Sequence, residues 1–144
     1  MVRRMKGSIF LARLCRNERA AAIVEMALVL PLFLALAMGI LVYGQYFMLA
    51  HAVQQSANDG ARAAIVGLDP AERRAIAARA VDRSMASIDG FSPATRAVAV
   101  SETSEAVTVA VAYTVPEVSF LRSSFVPSPG NIIRARATFE LPVD

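Results

Sequence analysis

From Met26 to Gly44 the chain carries no charged residue, and its apolar character continues to Val53. Nothing else in the sequence restricts the fold as strongly. These 19 residues, at about 1.5 Å of helical rise, cover roughly 28 Å, close to the ~30 Å hydrocarbon core of a bilayer. Adding Tyr46–Leu49 leaves length to spare for tilt. Leu, Ala, Met and Val dominate, and the run is apolar on every side, as a lipid-embedded helix should be. The sequence predicts one transmembrane helix with its span at about 26–49. A buried helix of a soluble protein is the weaker alternative.

Charge is distributed to match. Six of the 15 basic residues, Arg3, Arg4, Lys6, Arg13, Arg16 and Arg19, lie at or before Arg19, opposed there only by Glu18. Residues 21–144 hold nine basic and 11 acidic side chains, although the whole chain has a formal net charge of +3. The basicity therefore belongs to a leader, residues 1–20, and not to the folded part. By the positive-inside rule the N-terminus stays in the cytoplasm and the residues after the span lie outside. A nucleic-acid partner loses its support.

The only cysteine, Cys15, lies in that leader, so no disulfide framework is expected in the exported part, nor a cysteine-rich metal site. With His51 the sole histidine there is no Cys/His pair, and no Gly-rich loop resembles a phosphate cradle. Neither enzymatic activity nor a cofactor is expected. His51, near the end of the span, reads as an interfacial or subunit-contact residue. Glu102 and Glu105 read as solvated residues of a polar turn.

Beyond the span the helix turns amphipathic and is expected to reach about Val66. Leu49, Val53, Ala57, Ala61 and Ala64 fall on one stripe, and Gly60 adjoins it. Gln55, Asn58, Asp59 and Arg62 lie mainly opposite, with Asp59 and Arg62 spaced for an i,i+3 pair. Small residues at Ala57, Gly60, Ala61 and Ala64 allow another backbone to approach closely. That backbone belongs either to the chain's own C-terminal domain or to a neighbouring subunit.

Residues 67–144 read as a small exterior domain. Asp69, Pro70 and Glu72 have capping-box spacing for a second helix over residues 71–88. Its Ile76, Ala77, Ala80, Val81, Met85 and Ile88 share a face, Arg74, Arg79 and Arg83 lie elsewhere, and Asp89-Gly90 stops it. After Pro93 the period changes to two. Val98 and Val100, then Val107, Val109, Val111, Tyr113 and Val115, then Ile133, Ala135, Ala137, Phe139 and Leu141 mark three strands with one buried face each. The expected class is α+β: a long N-terminal transmembrane helix, a second helix, and a three-stranded antiparallel sheet whose apolar face the helices must cover.

The most informative stretch is Arg19-Ala20-Ala21-Ala22-Ile23-Val24-Glu25-Met26-Ala27-Leu28-Val29-Leu30-Pro31. A basic leader meets small residues, and a glutamate stands just inside an apolar run, where an ionisable group is costly and usually functional. Pro31 removes one helical hydrogen bond, so a kink or local unwinding is expected there.

This stretch resembles the N-terminal signature of TadE-like pseudopilins of the tight adherence (Tad/Flp, type IVc pilus) system. The resemblance covers roughly residues 19–66, through Gly39, Tyr43-Gly44 and the Gln55–Ala64 segment. It implies a minor pilin-like subunit of the bacterial inner membrane, serving assembly of adhesive pili or the associated secretion machine. The implied partners are other pilin-like subunits, the Tad assembly platform, a prepilin-type leader peptidase and membrane lipid. The implied cut falls between Ala20 and Ala21, where this chain has alanine in place of the usual glycine before the cut. Met26 replaces an aromatic residue common in major pilins, which fits a minor subunit.

Such a cut makes Glu25 the fifth residue of the mature chain. The new α-amine, with an ordinary pKa of about 7.7–8.0, is largely protonated and needs a partner among apolar helices. Glu25 of one subunit paired with Ala21 of a neighbour would offset both desolvation costs and fix the axial register. Two other classes stay open. One is an uncleaved, membrane-anchored accessory protein of the envelope. The other is a secreted soluble domain released by signal peptidase at Ala50-His51-Ala52, although the preceding run exceeds the usual 7–15-residue apolar region.

Overall fold

The computed structural model describes residues 18–116, 126–127 and 130–141. Most of the leader, with Cys15, and the Phe120–Phe125 segment lie outside the described residues. The elements are helix α1 (Glu18–Ala64), helix α2 (Pro70–Met85), a 3-10 turn (Pro93–Thr95) and strands β1 (Arg96–Glu102), β2 (Ala106–Thr114) and β3 (Ile132–Glu140). The α+β class read from the sequence is the class observed. The chain divides into two compact units, Met1–Ile40 and Leu41–Asp144, and α1 contributes to both.

Helix α1 holds for 47 residues and runs through Pro31 without interruption. Since proline has no N–H, the Ala27 carbonyl lacks its helical partner there. The helix ends at Ala64, two residues before the expected Val66, where the Gly67 N–H bonds the Ala64 carbonyl at 3.1 Å. β-Branched Ile65 and Val66 followed by glycine do not favour a further turn. A Cβ on Gly67 would stand 2.9 Å from the Arg73 nitrogen, so glycine is what lets the first turn of α2 come so near.

Asp69 caps α2: its Oδ1 accepts the Glu72 N–H at 2.8 Å, and Pro70 opens the helix. The reciprocal half of the capping box is shifted, because the Glu72 carboxylate accepts from the Leu68 N–H at 2.8 Å rather than from Asp69. The helix ends at Met85 and not at 88. Two turns follow it, Ile88 N–H to Met85 at 3.0 Å and Phe91 N–H to Ile88 at 3.1 Å. Gly90, with φ of +73°, provides the left-handed residue that stops the chain there.

The sheet has order β1-β2-β3 with antiparallel neighbours. Central β2 alternates cleanly, with Val107, Val109, Val111 and Tyr113 buried. They sit opposite Glu102, Val100, Val98 and Arg96 of β1, and opposite Phe139, Ala137, Ala135 and Ile133 of β3. Ala77, Ala80, Val81 and Met85 of α2 and Val53, Ala57, Ala61 and Ala64 of α1 are buried with them. Each fully buried valine contributes about 1.5–3 kcal/mol of apolar stabilisation, so the core rests chiefly on β2.

Three expectations are corrected. Asp59 and Arg62 do not pair: Asp59 accepts from Gln55 Nε2 at 3.1 Å and from Ser84 Oγ at 2.7 Å, while Arg62 is exposed. Asp59 is turned toward α2 and Arg62 toward solvent, so i,i+3 spacing alone does not join them. Glu102 is not a free turn residue: it ends β1 and accepts Arg73 Nη1 at 3.0 Å. Helix α2 runs antiparallel to β1, which brings Arg73 to one end of the strand and Asp82 to the other. Ile76 is only half-buried, at the margin of the arc centred on Ala77 and Val81. It lines a shallow depression with Val66, Arg79, Asp82 and Arg83.

Candidate functional site

The candidate site is the first part of α1. Every residue from Ala21 to Leu36 is exposed, and the apolar ones face all directions: Ile23 at 70%, Leu28 at 73%, Leu32 at 72% and Ile40 at 67%. A water-soluble helix buries one stripe; this one buries none over that stretch. One described helix is long and apolar enough to cross a membrane, and it is this one.

The apolar run divides between two environments. Val42 is completely buried, and Tyr46, Leu49 and Ala50 pack against the core of the second unit. The Tyr43 hydroxyl donates to the Pro127 carbonyl at 3.3 Å. Within this part of the helix Val42, Tyr46, Leu49 and Ala50 therefore serve protein packing, while Phe47 at 67% and Met48 at 75% stay exposed. The stretch with no residue in that core, 23–41, is still about 28 Å long at 1.5 Å per residue. Sequence reasoning missed this because lipid and a protein core select the same side chains. The phenolic hydroxyl of Tyr43 was the one available signal, since it needs a polar partner.

Glu25 is exposed near the start of this stretch, and neither ion pair among the described residues includes it. Ala20 and Ala21 lie in the first turn of α1, where the leading N–H groups have no helical acceptor and the backbone is easiest to unwind. Pro31 lies within the exposed stretch. The structure thus gathers Ala20, Ala21, Glu25 and Pro31 on one exposed helical segment.

The small residues belong to a different place. Ala57, Gly60, Ala61 and Ala64 are buried in the chain's own core. A Cβ on Gly60 would meet Val81 Cγ2 at 2.8 Å and Val109 Cγ1 at 3.3 Å, so Gly60 stands between α2 and β2. His51 is exposed. Among the described residues no three His, Cys, Asp or Glu side chains come together as metal ligands.

Electrostatics are perturbed away from the exposed helix. The hydrogen bond that Arg96 donates to Asp82 holds the Arg96 pKa above its ordinary value, against the opposing effect of burial. Burial raises the Tyr113 phenol, helped by the charge of Asp89.

A long apolar helix able to cross a membrane, leading into an α+β unit, is the class of protein these features define. Residues 20–62 match the family model described as TadE-like protein. The similarity is confined to that segment, which lies within α1. No curated protein and no solved structure matches the chain.

Proposed function

We propose that this protein is a minor pilin-like subunit of a Tad/Flp-type pilus or its associated secretion machine. It sits in the bacterial inner membrane with its N-terminus cytoplasmic and its α+β unit outside. A prepilin-type peptidase cuts it between Ala20 and Ala21, and the exposed helix 23–41 stays on the mature chain to pack among the helices of other subunits. Glu25 then meets the α-amine of a neighbouring Ala21. The observation that carries this reading is the placement of one carboxylate, in no ion pair among the described residues, near the start of an all-round exposed apolar helix, inside the TadE-like segment.

The test is the N-terminus and intact mass of the protein extracted from membranes of its native host. A mature chain beginning at Ala21 supports the reading. A full-length chain favours an uncut, membrane-anchored accessory protein. A start near Val53 would leave a secreted domain and overturn both.

A further inference from the structure

The two outer strands of the sheet are treated differently by the rest of the chain. In β3 the odd residues bond inward, as shown by Val115 N–H to the Asn131 carbonyl at 2.9 Å and Leu141 N–H to the Glu105 carbonyl at 2.7 Å. The even residues therefore turn their backbone groups outward. One of these groups is already taken, since Gln54 Nε2 donates to the Arg136 carbonyl at 3.0 Å.

In β1, Thr103 N–H bonds the Ala106 carbonyl at 2.8 Å, continuing the register that sets Arg96 opposite Tyr113. Odd residues of β1 thus bond β2, and Arg96, Val98, Val100 and Glu102 turn N–H and C=O outward. Among the described residues nothing bonds to them. Between its charged ends the strand has nothing to blunt the edge: residues 97–101 are Ala-Val-Ala-Val-Ser, with no charge, proline or bulge. Val98 and Val100 are only half-buried, whereas their partners Val111 and Val109 on β2 are fully buried.

The ends of β1 state what fits this edge. Arg96 stands at one end and Glu102 at the other, symmetric about Ala99. An antiparallel copy of the same strand, centred on Ala99, places Arg96 opposite Glu102, Val98 opposite Val100, and Ala97 opposite Ser101. The facing pairs that must exchange hydrogen bonds are the even ones, which are those already turned outward. Each charge already has a partner on α2, Asp82 for Arg96 and Arg73 for Glu102, so the joined edge carries charges of alternating sign. We propose that β1 is the edge through which two copies of this chain join, antiparallel about Ala99, making one continuous sheet from two three-stranded ones. The inference rests on the sheet alone, so its failure would leave the processing reading untouched.

Cysteine cross-linking of the purified full-length protein in detergent tests it, in a Cys15→Ser background. The pair Ala99–Ala99 of the two copies is a non-hydrogen-bonded one, with Cα atoms about 4.5 Å apart, at the short end of the disulfide range of about 4.4–6.8 Å. Ala99→Cys should therefore give a disulfide-linked dimer under mild oxidation, and Ala110→Cys on central β2 should not. Ala97→Cys alone should stay monomeric, but should cross-link to a Ser101→Cys copy mixed with it. Val100→Pro deletes an N–H that bonds nothing among the described residues, and should abolish the Ala99→Cys dimer. Cross-linking at position 99 no greater than at 110 overturns the proposal. So does a dimer that survives Val100→Pro, or cross-linking of Ala97→Cys with itself.

Discussion

Arg96 donates to Asp82 through two nitrogens, Nε to Oδ1 at 2.7 Å and Nη2 to Oδ2 at 2.6 Å, and so ties the last turn of α2 to the first residue of β1. The parallel fork fixes orientation as well as distance. Its partner at the other end of the strand, Arg73 with Glu102, is a single contact at 3.0 Å. Together they hold α2 along β1, where the apolar packing is thinner than under β2.

Breaking the fork should be felt as stability. Asp82→Asn is expected to cost about 1 kcal/mol, since both side chains keep some solvent and exposed pairs give little more. Arg96→Lys should lose nearly as much, because an ammonium cannot reproduce the two-nitrogen contact. Thermal unfolding at low and high salt checks this: the loss should shrink as salt rises. An Asp82→Asn protein as stable as the parent would make the fork incidental.

Gly60 and Gly44 both lie in α1 and should respond oppositely to a methyl group. At Gly60 the new Cβ would meet Val81 at 2.8 Å, while at Gly44 nothing stands within 4 Å. Alanine gains about 1 kcal/mol of helix propensity at either position. Overpacking at Gly60 costs about 1–3 kcal/mol and outweighs it. Gly60→Ala should lower the melting temperature slightly and Gly60→Val strongly, whereas Gly44→Ala should raise it slightly. A Gly60→Val protein that melts like the parent would mean that α1 does not pack against α2 and β2 as described.

Tyr113 makes the fold sensitive to alkali. Burial raises its pKa above the ordinary value of 10.0, so the folded chain keeps the phenol proton after the unfolded chain has lost it. Above that ordinary value the unfolded state binds fewer protons, and stability falls as pH rises through the folded pKa. Melting temperature should therefore hold below about pH 10 and decline above it. In Tyr113→Phe the decline should be shallower. An unchanged slope in that variant would assign the alkaline loss to other groups.

Periodicity made much of this fold readable. Val107, Val109, Val111 and Tyr113 announce a strand with one buried face whatever they pack on, and Asp69-Pro70 announces a helix start from local chemistry alone. What the sequence hid is what depends on partners distant along the chain. Arg96 and Asp82 are 14 residues apart and meet only because α2 folds back along β1. Arg62 sits at the right spacing for Asp59, but Ser84, from another helix, supplies the hydrogen bond instead. The candidate site was legible for the opposite reason: Ala20, Glu25 and Pro31 lie on one helix, so their juxtaposition is a matter of sequence spacing. That α1 begins to pack on the core at Val42 was not legible, because Leu36, Ile40 and Val42 are chemically alike.

Glu25 separates a helix that merely anchors from one that also assembles. An unpaired carboxylate in an apolar segment is unfavourable for insertion, so Glu25→Ala should insert into the membrane at least as well as the parent. If the carboxylate instead meets a neighbour's α-amine, its loss leaves that buried cation without a partner, which is strongly destabilising to the contact. The expected outcome is normal membrane fractionation and normal cleavage, with loss of co-purification of other pilus subunits. Glu25→Gln should fail in the same way, since it keeps the shape and a hydrogen-bonding group but not the charge, whereas Glu25→Asp should retain part of the function. Full assembly by Glu25→Ala would reduce the residue to an interfacial carboxylate and leave the helix as an anchor alone.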